Sequence, residues 1–292
     1  STGEIRFTHD GKAIRRRTYL CDMKGLPPST LWIDLEKTGH NRQAKYELLK
    51  LIPEDIFDTP KPVKLLKYII ELSGVMESDI ILDFFSGSAT TGHAVMKLNS
   101  EDGNKRKFIM IQLPEKTNEK SEAYKAGYKN ICEIGKERIR RSGLKIKEEY
   151  PEKTSYLDIG FRVLKLDSTN MKEVFYKPTQ YVQGAMDGFE VNIKENRSAE
   201  DLLFQVMLEL GELLSSDIEE KEIAGKKVFN VGGRNIIACF DTKITNEVVI
   251  EIAKLKPFYA VFRDNSMAND SVATNFEQIF ETYSPTTVRK VL

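Results

Sequence analysis

The apolar run Ile80-Ile81-Leu82 closes on Asp83 and passes at once into Phe84-Phe85-Ser86-Gly87-Ser88-Ala89-Thr90-Thr91-Gly92. No other stretch restricts the fold as strongly. A short apolar run bounded by polar turns predicts a strand buried on both faces, as in a parallel sheet. The residues after it are small, so a ligand can come close to the backbone. A helical pattern follows, from about His93 to Leu98. Its first turn would present N–H groups without helical acceptors at the positive end of the helix dipole. Strand, small-residue turn and helix start together form a nucleotide or cofactor cradle in an α/β sheet. No Lys follows the glycines, which excludes a phosphate-binding P-loop, and the spacing departs from G-x-G-x-x-G. Taken alone, the turn also fits an ordinary βα corner.

Two flanking stretches narrow the reading. Upstream, Thr59-Pro60-Lys61-Pro62 forces extended or turn geometry before a helix over Val63 to about Ser73. Downstream, Lys107 to Leu113 reads as the next buried strand, with Gln112 at its end and Glu115 three residues on. In a doubly wound sheet the polar residue at that point meets ribose hydroxyls. His93 is expected on a helix surface. A long helix is expected over Glu119–Leu144, closed by Gly143, with the basic residues near its end complementing the dipole. Earlier in the chain, Arg42 to Leu51 has a helical apolar side, with Asn41 expected as its cap.

These motifs resemble S-adenosylmethionine-dependent DNA methyltransferases of the amino-methylating classes. Asp83 to Thr91 looks like their motif I, with Ala89 where the family usually has a second glycine. Ala permits the same close approach if its φ stays negative. Thr59 to Pro62 looks like motif X, and Gln112-Leu113-Pro114-Glu115 resembles the modification subunits of type III restriction-modification systems. The resemblance implies S-adenosyl-L-methionine as cofactor. Its methionine end would be embraced by Asp83, Phe84, Phe85, Ser86, Gly87, Ser88, Thr90 and Thr91. Thr59, Pro60, Lys61 and Pro62 would flank it, and Gln112 would hold the ribose.

Methylation of a base amine needs a second half-site that stacks the extruded base and accepts hydrogen bonds from its amine. In the family a D-P-P-Y-type tetrapeptide does this, and none occurs in these 292 residues. Leu26-Pro27-Pro28-Ser29 does not qualify, because it lacks the polar residue before the prolines and the aromatic after them. No catalytic residue is therefore assigned. In the β class the catalytic half precedes the recognition region and motifs X and I. The chain is thus expected to be the C-terminal portion of such a subunit, either cut from a longer chain or completed by a partner.

Composition adds exclusions. The chain is 40% hydrophobic and 30% charged, as in soluble globular proteins, and no apolar run approaches a membrane span. Cys21, Cys132 and Cys239 show no C-x-x-C spacing and the three histidines do not cluster, so no metal site is expected. Reduced thiols and the absence of a signal peptide point to a cytoplasmic protein. The formal net charge of zero leaves DNA contact to local patches, for which Arg15, Arg16 and Arg17 are the candidates.

From about residue 151 the texture changes. Gly160 to Ser168 alternates like a strand, and Ser198-Ala199-Glu200-Asp201 reads as a capping box before a helix reaching Leu214. A hairpin on Gly232-Gly233 follows, then helix, strand, helix and a terminal strand.

The expected fold class is α/β: a Rossmann-like S-adenosylmethionine-dependent methyltransferase half-sheet followed by a second, smaller α/β domain. Residues 1–56 would end a target-recognition region with its linker, 57–150 would bind cofactor, and 151–292 would form the C-terminal domain. The implied activity is site-specific DNA adenine-N6 methylation. Double-stranded DNA, a homodimer mate and a restriction (helicase–nuclease) subunit are the implied partners, and no membrane is. The alternative is a non-catalytic module for dimerisation or restriction-subunit docking, with a vestigial cofactor pocket.

Overall fold

The computed structural model describes residues 5–16, 28–153, 156–172, 192–264 and 266–292. The chain divides into two compact units, residues 1–163 and 164–292.

The first unit begins with a hairpin, β1 (Ile5–Phe7) antiparallel to β2 (Ile14–Arg16). Arg15 and Arg16 therefore lie on a strand, while Arg17 and Cys21 fall outside the described residues. Helices α1 (Leu35–Thr38), α2 (Asn41–Leu51) and α3 (Val63–Leu72) follow. His40 caps α2, not Asn41: its Nδ1 accepts from the Gln43 N–H at 3.2 Å, and Asn41 is already the first helical residue. Pro62 stands at the N-cap of α3 with φ fixed near the value a helix start needs, so the proline pair sets where that helix begins.

Strand β3 (Ile80–Asp83), helix α4 (Thr90–Asp102) and strand β4 (Lys107–Met110) form a βαβ unit, with the two strands paired in parallel. Ile81 and Phe108 pack against Val63, Ile70, Ala94, Val95 and Leu98 of α3 and α4. The alternate residues Ile80, Leu82 and Ile109 are exposed. The expectation of a strand buried on both faces is thus overturned among the described residues, where helices cover one face of this two-stranded sheet.

The long helix expected over 119–144 is two helices, α5 (Glu122–Lys125) and α6 (Ile131–Glu149). Gly127 breaks the run at φ 95°, and the Asn130 side chain starts α6 by accepting from the Glu133 N–H. Gly143 is consequently inside α6 and caps nothing. A Cβ there would lie 2.9 Å from Ile159 Cβ, so its bareness lets the following chain pack on the helix. The basic run from Lys136 to Arg141 is mid-helix and does not face the C-terminal dipole end. Residues 160–168 form no strand. Leu157, Ile159 and Phe161 instead pack with Ile139, Ile146 and Met96.

The second unit holds α7 (Ala199–Glu209) and a five-stranded sheet ordered β5 (Ile218–Ile223), β6 (Lys226–Val231), β7 (Ile236–Cys239), β8 (Tyr259–Phe262) and β9 (Val288–Val291). β5 to β7 pair antiparallel, and β7 to β9 pair in parallel. Helices α8 (Asn246–Lys254) and α9 (Asp270–Tyr283) are the crossovers. The Ser198–Asp201 capping box forms with both reciprocal bonds, and α7 stops at Glu209 where Gly211 turns the chain at φ 73°. Leu202, Leu203, Val206 and Met207 of α7 seal one sheet face against Phe229, Ile236 and Val261. Val249, Ile252, Phe276 and Phe280 of α8 and α9 seal the other against Ile237, Cys239 and Phe262.

Candidate cofactor site

The turn between β3 and α4 is tied down from three sides. Asp83 ends β3 with its side chain turned toward the helix: Thr91 Oγ1 donates to one carboxylate oxygen at 2.6 Å, and the Phe85 N–H donates to the other at 3.1 Å. From the adjoining strand end, Gln112 Oε1 accepts from the Gly87 N–H at 2.8 Å, and the Ser86 N–H reaches the Ile111 carbonyl at 3.2 Å. From α6, Arg138 Nη1 donates to Ser88 Oγ at 2.9 Å and to Thr90 Oγ1 at 2.6 Å.

Ser88, Thr90 and Thr91 are accordingly buried, their hydroxyls spent inside the protein. What the turn offers outward is backbone, the remaining acceptor capacity of the Asp83 carboxylate, and the rings of Phe84 and Phe85, which are 61% and 81% exposed. Beside it runs a groove of about 300 Å³, lined among others by Leu66, Ile69, Leu82, Asp83, Phe84 and Phe85. That volume is at the small end of the range for ligand sites, and an apolar lining with one acid is their usual chemistry.

Ala89 departs from expectation. It takes φ 58° and ψ 40°, the left-handed region, where a negative φ was expected. For a residue with a Cβ this conformation costs roughly 1–2 kcal/mol. The cost is met locally: the Ala89 N–H bonds the Ser86 carbonyl at 2.7 Å, and its methyl is buried against α6.

Of the upstream stretch, Pro60 and Pro62 are buried, and Thr59 and Lys61 are exposed. The contact to the turn comes from Phe57, outside the assigned set, whose ring tip lies 3.5 Å from where a Gly87 Cβ would be. Gln112 carries out a tying role, bonding Gly87 through Oε1 and its own neighbour's carbonyl through Nε2.

Sequence reasoning gave Arg138 no site role and placed His93 on the surface. Arg138 is fully buried, and among the described residues no carboxylate is in ion-pairing contact with it. Burial pushes its guanidinium down to about 10, opposed by the Glu47 carboxylate, and Nε and Nη2 find no partner among the described residues. The signal was its place three residues after Gly135 on a helix face that also carries Ile134 and Ile139. Its neighbours behave as an ordinary charged face, since both Arg140 and Arg141 reach Glu137. His93, expected on the surface, is instead packed inward. Burial pushes its imidazole down to about 3, helped by the Arg138 and Lys97 charges. No group of His, Cys, Asp and Glu able to hold a metal occurs among the described residues, nor does a helix long and apolar enough to cross a membrane.

A parallel βαβ unit with an acid-ended strand, a small-residue turn and a polar residue just past the next strand is the kind of corner at which α/β sheets place ligands. A family model described as DNA methylase matches residues 4–150, half of the chain, and the chain belongs to that family. It is 38% identical over 188 residues to the StyLTI Mod subunit, a type III restriction-modification enzyme of Salmonella typhimurium, covering 64% of this chain and 26% of that protein. It is 30% identical over 252 residues to the EcoP15I Mod subunit of Escherichia coli, covering 80% of this chain and 34% of that one. The type II methyltransferase M.KpnI of Klebsiella pneumoniae is 34% identical over 128 residues, 44% of this chain and 30% of the relative. The chain therefore spans about a quarter to a third of the length of these relatives.

Proposed function

We propose that this chain is the cofactor-binding and C-terminal part of a DNA adenine-N6 methyltransferase, the modification subunit of a type III restriction-modification system. The observation that carries the reading is the convergence of Asp83, Gln112 and Arg138 on one turn beside an apolar groove. S-adenosyl-L-methionine fits this donor set. Asp83 keeps acceptor capacity for an ammonium or hydroxyl, Phe84 and Phe85 offer rings for apolar and stacking contact, and the start of α4 favours a carboxylate. Phe84 to Thr91 would wrap the methionine end, Thr59 to Pro62 would lie alongside, and Gln112 would approach the ribose. When bound, the cofactor supplies an electrophilic methyl group. The residues present here bind and orient it.

Extrusion of the target base and contact with its amine would fall to a D-P-P-Y-type segment, which these 292 residues lack, supplied by a longer form of the chain or by a partner. Double-stranded DNA and a restriction subunit are the proposed partners, with Arg15 to Arg17 as a candidate phosphate contact. By itself the chain is expected to bind cofactor weakly and to methylate nothing. Calorimetry with S-adenosylmethionine tests this, with wild type giving measurable heat and Asp83→Asn weakening binding at least tenfold. Methyl transfer to DNA by the purified chain would overturn the division of labour.

The exposed row Leu82, Ile109, Ile111 and Leu113 favours a second reading, a docking module with a vestigial pocket. No cofactor heat together with a stable dimer would select it.

A further inference from the structure

We propose that Gly135 and Arg138 of α6 act as a clamp that holds residue 89 in its left-handed conformation and so positions the cofactor turn. The two residues stand three apart and therefore share one face of the helix. Gly135 provides the clearance: a Cβ there would lie 3.3 Å from the Gly87 carbonyl oxygen, tighter than ordinary packing, and in contact with the Ala89 methyl at 3.4 Å. Arg138 provides the hold. One nitrogen, Nη1, bonds the side chains on both sides of residue 89, Ser88 at 2.9 Å and Thr90 at 2.6 Å. The strained residue is thus bracketed by two bonds to a single buried cation.

The arrangement answers a specific conflict. Glycine occupies the left-handed region freely, whereas alanine does so only where surrounding contacts over-determine it. Ala89 has no side-chain cap at the start of α4 and takes φ 58°. Keeping a guanidinium at 0% exposure with no ion-paired carboxylate among the described residues, only the charge of Glu47 acting on it, is costly. A charge so placed earns its position by what it holds. Arg138 is accordingly a positioning residue, whose influence on ligand passes through the backbone of 87–91.

The consequence for cofactor binding rests on the proposed function, but the clamp does not. The decisive experiment is a double-mutant cycle read by amide hydrogen exchange on the full chain, with Arg138→Met measured in the Ala89 and Ala89→Gly backgrounds. In the Ala89 background, exchange across 87–91 is expected to rise at least tenfold while α7 to α9 are unchanged. In the Ala89→Gly background the increase should be at least threefold smaller, and Arg138→Lys should recover part of the protection. An unchanged 87–91 segment, or an equal increase in both backgrounds, would overturn the proposal. If Arg138→Met unfolds the first unit, the pair Ser88→Ala and Thr90→Val, which removes the acceptors and leaves the cation, is read in the same way with the same two outcomes. Calorimetry with S-adenosylmethionine then separates the two ideas. Binding by wild type that Arg138→Met weakens tenfold, with a smaller loss beside Ala89→Gly, supports both. Absence of binding by wild type sinks the cofactor reading, and exchange still decides the clamp.

Discussion

On β7 the residues Ile236, Ile237, Ala238 and Cys239 are all buried, because α7 lies over one face and α8 with α9 over the other. On β3 burial alternates: Ile81 is covered by α3 and α4, while Ile80 and Leu82 are 46% and 55% exposed. Both strands are apolar and both pair in parallel with a neighbour. The difference is the second layer of helices, which only the second unit possesses among the described residues. Parallel sheets are ordinarily covered on both sides, and a two-stranded sheet is marginal alone. The second unit thus completes a core from its own residues. The first presents an apolar sheet face beside the β3–α4 turn, and under the proposed function that is where the remaining part of a methylase would pack.

The comparison can be broken most easily at the second unit's core. Phe280→Ala removes a fully buried ring that meets Phe262 and Phe276, and should cost about 3–5 kcal/mol, read as a lowered denaturation midpoint of that unit. Exchange protection in the first unit should not change, and a loss there would show that the two cores are not independent.

The next effect belongs to the first unit and to pH. His93 has its folded pKa depressed from 6.5 to about 3, so its neutral ring is the native form. Its contribution is complete above pH 6.5 and is lost as pH falls toward 3, because the unfolded chain takes up the proton first. The slope in that window is at most roughly 1.4 kcal/mol per pH unit. His93→Gln should flatten the acid limb of the first unit's stability profile relative to wild type. Parallel profiles would refute this.

A smaller effect is expected for Ser198→Ala, which removes one half of the capping box and should lower the second unit's stability by about 1 kcal/mol. The smallest effect sharpens the contrast between the sheets. Leu82→Ser and Phe85→Ser alter exposed side chains and should change stability by no more than about 0.5 kcal/mol, while reducing binding of an apolar dye. A large destabilisation would mean that this face is covered.

Much of the fold was legible because it is local. Pro62 before α3, the capping box before α7 and the two glycines between β6 and β7 are signals whose physics acts within a few residues. Other expectations failed through competition between local signals. The helical periodicity across 119–144 hid Gly127 and Asn130, which stop one helix and start the next. The alternation over 160–168 resembled a strand, yet no strand among the described residues pairs with it.

The candidate site divides in the same way. The sequence by itself determined that an acid-ended strand runs into a small-residue turn and a helix, and that this unit belongs with DNA methylases. Only the tertiary structure decided that Ala89 is left-handed, that Ser88 and Thr90 face inward, that Arg138 is buried while Arg140 and Arg141 are not, and that His93 is neutral. The physical reason is distance along the chain. A turn's composition limits the conformations open to it, but the contacts that select one come from α6, almost fifty residues later, and no local pattern specifies which face of that helix will meet it.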